Sequence, residues 1–237
     1  MNINQNIIKI SDISVKVIRK KIKNIHLAVY PPDGWVRVAV PEIINDEAVR
    51  LAVISKLGWI RRQQKSFKEQ PRQDKRELIT GESLYFLGHR YILEVIHSNK
   101  KPKIFLKNKK TLCLKINNKT TFEKREQLLN KWYRVELKKL LANIVKKWEN
   151  KMNIKTNSCN IRKMKSRWGT CNVKNRVVTL NLELVKKPIE CVEYILVHEF
   201  AHLLERTHNK RFKQILNKYI PNWKTRRKWL NNLPLLN

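Results

Sequence analysis

A chain of 237 residues, 42% hydrophobic and 30% charged, holds enough apolar mass for one large or two modest domains and does not have the composition of a disordered chain. No run approaches the roughly 18 to 20 uncharged apolar residues that cross a bilayer as a helix. Met1 to Lys9 has no charged start followed by an apolar block, so neither a membrane span nor a secretory leader is expected. Lysine and arginine number 52 against 19 acids, a formal net charge of +33. A field of that sign attracts polyanions, either nucleic acid or an anionic membrane surface. The same lysine excess is what AT-rich coding produces in a sequence rich in Lys, Asn and Ile, so nucleic-acid binding and a composition effect both stand. The cysteines Cys113, Cys159, Cys171 and Cys191 show no paired spacing, which points to reduced thiols and a cytoplasmic protein rather than a disulfide framework.

In chain order, the first part reads as β-rich. Residues 15–18, 25–29 and 35–40 are short runs of β-branched residues with partial alternation, and Pro31-Pro32-Asp33-Gly34 turns the chain between the last two. Asp46 is placed to cap a helix running to Phe67, with Val49, Val53, Leu57 and Ile60 on one side. Lys65 to Arg76 reads as a polar connection. Residues 84–86 and 91–96 flank Gly88 as a hairpin, and 103–117 supplies one or two more strands. From Phe122 to Asn150 the spacing is helical, with Leu128, Trp132, Val135, Leu140, Ile144 and Trp148 facing a core. Strands follow at 158–163 and 176–182, then helices at 188–206, 209–219 and 222–231. The fold class is therefore α+β, divided into a β-rich N-terminal domain over 1–118 and a second domain over 119–237.

The chemistry concentrates in His198-Glu199-Phe200-Ala201-His202. Residues four apart on a helix stand one turn apart on one face, so two imidazoles project together at a separation suited to one tetrahedral metal ion. A chance match to H-E-x-x-H in a chain this poor in histidine is on the order of one in a hundred. His208, six residues on, is the candidate third ligand once the chain turns. Glu199 is placed to act as general base on a water acidified by zinc. The competing reading is a surface helix with scattered histidines. Ile195, Leu196, Val197, Phe200, Leu203 and Leu204 argue against it, because imidazoles on a buried helix need partners. Glu205 is either a partner that orients a ligand histidine or a plain surface carboxylate.

A second segment, Lys165-Ser166-Arg167-Trp168-Gly169-Thr170-Cys171-Asn172, reads locally as a turn. Arg167 either faces the site and binds a substrate carbonyl or developing oxyanion, or pairs with an acid while Trp168 packs in the core. Cys171 with three histidines would make an unusual closed zinc site that leaves Glu199 without a task. The lysines between 100 and 110, interleaved with Phe105, form either a nucleic-acid edge or a solvated loop.

Taken together, Ser166 to Cys171, Leu180-Asn181-Leu182, Pro188, Tyr194 to Glu199, His202 to Glu205, His208 and Phe212 resemble the YgjP-like metallopeptidase family, M48-like zincins formerly described as a domain of unknown function. Weaker echoes include Gly34, Pro41, Trp59 and Leu87-Gly88. The resemblance implies a zincin-like catalytic domain with the metal motif on a helix and a third ligand supplied by the following helix. It also implies Zn2+ as cofactor, a protein or peptide substrate, and kinship with SprT-like and Wss1-like proteases acting on proteins at DNA. Asn175, Asn209 and Lys213 depart from the usual residues without removing a ligand or the base. The alternative is a nucleic-acid-binding module whose zinc site is structural or vestigial.

Overall fold

Alternation, broken at Ile18 and Pro41, sets the first sheet. In β2 (Ile13–Lys20) and β4 (Trp35–Pro41), Val15, Val17, Val36, Val38 and Val40 are buried while the residues between them turn outward. With β1 (Gln5–Ile10) and β3 (His26–Tyr30) these strands form a sheet of order β1-β2-β4-β3, in which only β2 and β4 run parallel. The computed structural model describes residues 5–30, 33–69, 77–164 and 167–232. β3 and β4 form the expected hairpin, and β1 is a strand that its weaker pattern did not announce.

The helix expected from Asp46 to Phe67 is two helices, α1 (Asp46–Ile54) and α2 (Leu57–Glu69). Val49, Val53 and Ile60 are fully buried against the sheet, as the spacing predicted. The Ser55 hydroxyl donates to the Ala52 carbonyl at 2.9 Å, a local bond that competes with helix continuation at the break. Asn45, not Asp46, is the cap: its side chain accepts from the Ala48 N–H at 2.9 Å, which frees Asp46 to take the Arg19 guanidinium at 2.5 Å. Lys65 to Glu69 complete α2 rather than opening a connection, and residues 70–76 lie outside the described residues.

The rest of the chain has its own core. A second sheet of order β5-β6-β8-β7 comprises β5 (Ser83–Phe86), β6 (His89–His97), β7 (Lys103–Leu106) and β8 (Thr111–Ile116). It packs with α3 (Phe122–Met152) and with a small sheet of order β10-β11-β9, made of β9 (Ser158–Arg162), β10 (Gly169–Asn172) and β11 (Val177–Asn181). A short 3-10 helix, Leu182–Lys186, leads to α4 (Ile189–Ala201), α5 (Lys210–Tyr219) and α6 (Trp223–Asn232). The buried stripe of α3 is Leu129, Tyr133, Leu137, Leu141, Ile144, Trp148 and Met152. The expected stripe ran one residue early through its first half and included Val135, which is exposed. Adjacent apolar pairs at 128/129, 132/133 and 140/141 made both phases available.

The compact units are Met1–Gln73 and Asp74–Leu236, a division well before the expected one at 118/119. Leu84, Leu93, Leu112 and Leu114 share one cluster with Leu129, Tyr133 and Leu137, and the Tyr133 hydroxyl donates to the Tyr85 carbonyl at 2.8 Å. The change of pattern near residue 120 is a change from strand to helix inside one core. No helix among the described residues is long and apolar enough to cross a membrane.

The β5–β6 turn fixes where α4 begins. The Leu87 N–H donates to the Val185 carbonyl at 2.7 Å, and a Cβ on Gly88 (φ +83°) would stand 2.9 Å from the Pro188 side chain and 3.0 Å from its Cα. Gly81 also has positive φ (+96°) but nothing within 4 Å. Gly81→Ala should therefore cost about 1 kcal/mol from backbone strain alone. Gly88→Ala should cost clearly more, because it also drives the turn off Pro188. Urea denaturation of both variants checks the order; equal costs would contradict the contact.

Candidate metal centre

Pro188 enters α4 where a missing N–H costs nothing, and Glu190 sits in the first turn, favourable to the helix dipole. Cys191, Val192, Tyr194, Ile195, Leu196, Val197, Phe200 and Ala201 are all buried, so the helix is apolar on nearly every side. His198 projects from its last turn and His202 is its C-cap residue. α4 ends at Ala201 rather than at Arg206. The N–H groups of Leu203, Leu204 and Glu205 fold back onto the carbonyls of Phe200 and Ala201, and the chain turns early. That turn brings His208 to the other two. Asn209 caps α5, accepting from the Phe212 N–H at 3.0 Å, so His208 lies just before the helix that the resemblance implied would carry it.

One ring nitrogen from each of His198, His202 and His208 lies within 4.8 Å of the others. The Nε2 atoms of His198 and His208 are 3.0 Å apart, and Nδ1 of His202 is 3.3 Å from the Glu205 carbonyl oxygen. Phe212, 2% exposed, lies against all three imidazoles, with ring centroids at 5.0, 4.8 and 4.7 Å from His198, His202 and His208. Nδ1 of His198 is buried without a hydrogen bond among the described residues. Imidazole nitrogens that converge in this way, two Nε2 atoms within 3.0 Å of each other, fit a divalent transition-metal ion as donor set. Cys171 is not part of this cluster.

Glu199, 6% exposed, stands beside the triad with its side chain against β10. A Cβ on Gly169 would lie 2.7 Å from both Cγ and Oε1 of Glu199, so the strand can pass there only as glycine. Residues 169–172, expected as a turn, form the edge strand β10 paired antiparallel with β11. Asn181 anchors the approach to it. Its amide donates to the carbonyls of Met164 and Arg167 at 2.8 Å each, and its Oδ1 accepts from the N–H groups of Met164 and Glu183. Lys165 and Ser166 lie outside the described residues.

A cleft of about 950 Å³ is lined by β10, Arg167, Glu199 and the three histidines. A second cavity of about 500 Å³ opens beside it, walled by Trp168, Tyr194, Ile195, Phe212, Leu216 and Trp223. Arg167 borders both cavities and forms no ion pair with an acid among the described residues. Trp168 packs partly against the core, with the Lys187 ammonium 5.6 Å from its ring centroid. The Glu205 carboxylate accepts from the N–H and hydroxyl of Thr207 at 3.3 and 3.2 Å. It is the Glu205 main-chain carbonyl, not its carboxylate, that faces a histidine. The sequence reading gave no role to Gly169, Asn181 or Phe212. The aromatic three residues after Asn209 was an available signal for Phe212, while nothing in the residues around Gly169 or Asn181 marks their roles.

The YgjP-like metallopeptidase domain matches residues 23–233. The chain belongs to this family of metal-dependent peptidases. It is also similar to the metallopeptidase zymogen abylysin of Pyrococcus abyssi, at 21% identity over 41% of this chain and 99% of that one, with a TM-score of 0.36. The metallopeptidase zymogen jannalysin of Methanocaldococcus jannaschii is 22% identical over 38% of this chain and 92% of that one, with a TM-score of 0.35. No curated protein sequence matches the chain.

Burial sets the protonation states in this family member's cleft. It pushes His198 down to about 4, with the neighbouring imidazoles His202 and His208 adding to the shift, and it lowers His202 as well. Both rings are thereby held neutral, the form that binds a metal. Burial raises Glu199 to about 7, opposed by the charge of Arg167, and raises the Cys171 thiol to about 11. A carboxyl whose folded pKa lies above its unfolded one keeps its proton in the folded state while the unfolded chain has lost it. Its contribution to stability therefore falls as pH rises from about 4.5 to about 7. In metal-stripped protein, Glu199→Gln should become progressively more stable than the parent chain across that window, by ~3 kcal/mol at most. Denaturant titrations at several pH values check this, and a difference independent of pH would contradict the buried, proton-holding carboxyl.

Proposed function

We propose that the chain is a zinc-dependent peptidase in which His198, His202 and His208 hold the metal and Glu199 is the general base. The observation that carries this reading is the convergence of three imidazoles and one buried carboxyl in a single cleft bordered by an edge strand. Zinc bound by such a set supplies a Lewis acid and acidifies water at neutral pH. Glu199 takes the proton from the attacking water and passes it to the leaving amine. A carboxyl near pH 7 suits both transfers. Arg167 donates hydrogen bonds to the carbonyl oxygen as negative charge develops on it. The open edge of β10 accepts an extended peptide as an added strand, and the second cavity, aromatic on one side and bordered by Arg167, Lys213 and Arg227, receives one of its side chains. Phe212 keeps the histidine rings in place from below, and the Glu205 carbonyl fixes the orientation of His202.

The net charge of +33 favours a second element of the reading, a location at a polyanion such that cleavage falls on proteins at DNA. It also underlies the alternative of a nucleic-acid-binding module with a structural zinc. Against that alternative stands Glu199, a carboxyl held in a buried position beside the triad and opening on a large cleft, which a structural metal site does not need.

With an unfolded protein such as casein as substrate, Glu199→Gln should retain the metal and the fold while hydrolysis falls by at least about 100-fold. Hydrolysis by the variant at the parent rate would remove Glu199 from the mechanism.

A further inference from the structure

Away from the metal centre, the first sheet presents one face to its helices and one outward. The inward face is filled by Ile10, Ile13, Val15, Val17, Val36, Val38 and Val40. The outward face follows from the strand registers. Ile7, Lys16, Arg37 and Ala28 stand level across β1, β2, β4 and β3. In the neighbouring row, Lys9 pairs with Ser14 and Trp35 with Tyr30. Ile18, buried with 7% exposure, and then Lys20 continue the same face.

Two features of this face are unusual for a solvated sheet. Lys16 and Arg37 are register partners, so two cations stand side by side, an arrangement that repels when nothing lies over it. No strand of the sheet contains an aspartate or glutamate, and none of Lys9, Lys16, Lys20 and Arg37 forms an ion pair among the described residues. The nearby acids lie in turns, Asp12 tied to Arg61 at 2.8 Å, Asp33 at the hairpin end and Glu42 just after β4. Beside the cation row, the rings of Tyr30 and Trp35 are stacked with centroids 4.4 Å apart and planes within 14°. Trp35 is 43% exposed, and the Arg37 guanidinium lies 4.8 Å from the Tyr30 ring centroid.

We propose that this outward face of the β1-β2-β4-β3 sheet is a binding platform for single-stranded nucleic acid. The Lys9, Lys16, Lys20 and Arg37 cations follow the phosphates, and the exposed Trp35 ring, backed by Tyr30, takes an unpaired base. Cations that track a backbone beside an open aromatic are what a strand with unstacked bases requires. A duplex offers the phosphates but hides its base faces. A tryptophan serving only to brace the hairpin against Tyr30 would not need a row of cations on the same sheet face. The proposal gives the polyanion part of the functional reading a location and is independent of the metal.

The test is fluorescence anisotropy of the full chain with labelled oligothymidine and, separately, oligouridine of about 12 nucleotides, within the usual site size, across a salt series. Binding to either supports the platform, and the two arms tell which sugar it takes. Trp35→Ala should weaken binding about tenfold, while Trp35→Phe, which keeps a stacking ring, should retain most of it. The double variant Lys16→Glu, Arg37→Glu should weaken binding and flatten its salt dependence by about one to two counterions. The charge-matched control Lys100→Glu, Lys101→Glu should change it far less. Circular dichroism of each variant confirms the fold. No binding at low salt, no effect of Trp35→Ala, or an equal loss in the control pair would overturn the proposal, the last by showing diffuse charge at work. The assay reads no hydrolysis, so its failure would leave the metal centre untouched.

Discussion

The desolvation of α4 is the constraint on which the rest of the site depends. A helix with apolar residues on nearly every side has nowhere wet to put two imidazoles and a carboxyl, so it places them at its C-terminal end, at the wall of a cleft. There burial does two useful things at once. It holds His198 and His202 neutral, and it lifts Glu199 towards neutrality. On an exposed helix the same three side chains would titrate near their ordinary values, with the histidines partly protonated and the carboxyl ionised at neutral pH.

The surrounding elements make that position repeatable. The β5–β6 turn abuts Pro188 and sets the entry of α4. β10 reaches Glu199 because Gly169 has no Cβ, and Asn181, with four hydrogen bonds to the main chain, holds the approach to β10. Phe212 closes the floor under the histidines, and the Asn209 cap that starts α5 leaves His208 free in the turn to join them. Each support is a short-range contact or hydrogen bond, and together they hold a site spread over a helix, a loop and an edge strand.

Much of this was legible in the sequence, for identifiable reasons. The histidine spacing marks a helical face, and the helices at 189–201, 210–219 and 223–232 begin almost where Pro188, Asn209 and the following pattern put them. What escaped detection was tertiary. The end of α4 depends on main-chain bonds that fold Leu203 to Glu205 back on themselves, which no residue in that stretch announces. β10 is too short for a period-two signal, and its glycine looked like a turn residue until Glu199 was seen against it. The phase of α3 was ambiguous because apolar residues come in adjacent pairs. The division between units was hidden because strands and a long helix share one core after residue 77, so the change of pattern near 120 marked an element and not a boundary.

The proposed chemistry needs a metal, and every role proposed around it follows from the three histidines acting as one donor set. The most direct measurement is therefore the metal content of the purified chain by elemental mass spectrometry, beside that of His202→Ala. The account predicts about one zinc per chain in the parent protein and its loss in the variant. A parent protein that binds no metal after zinc is supplied, or a variant that keeps it, would contradict the assignment of His198, His202 and His208.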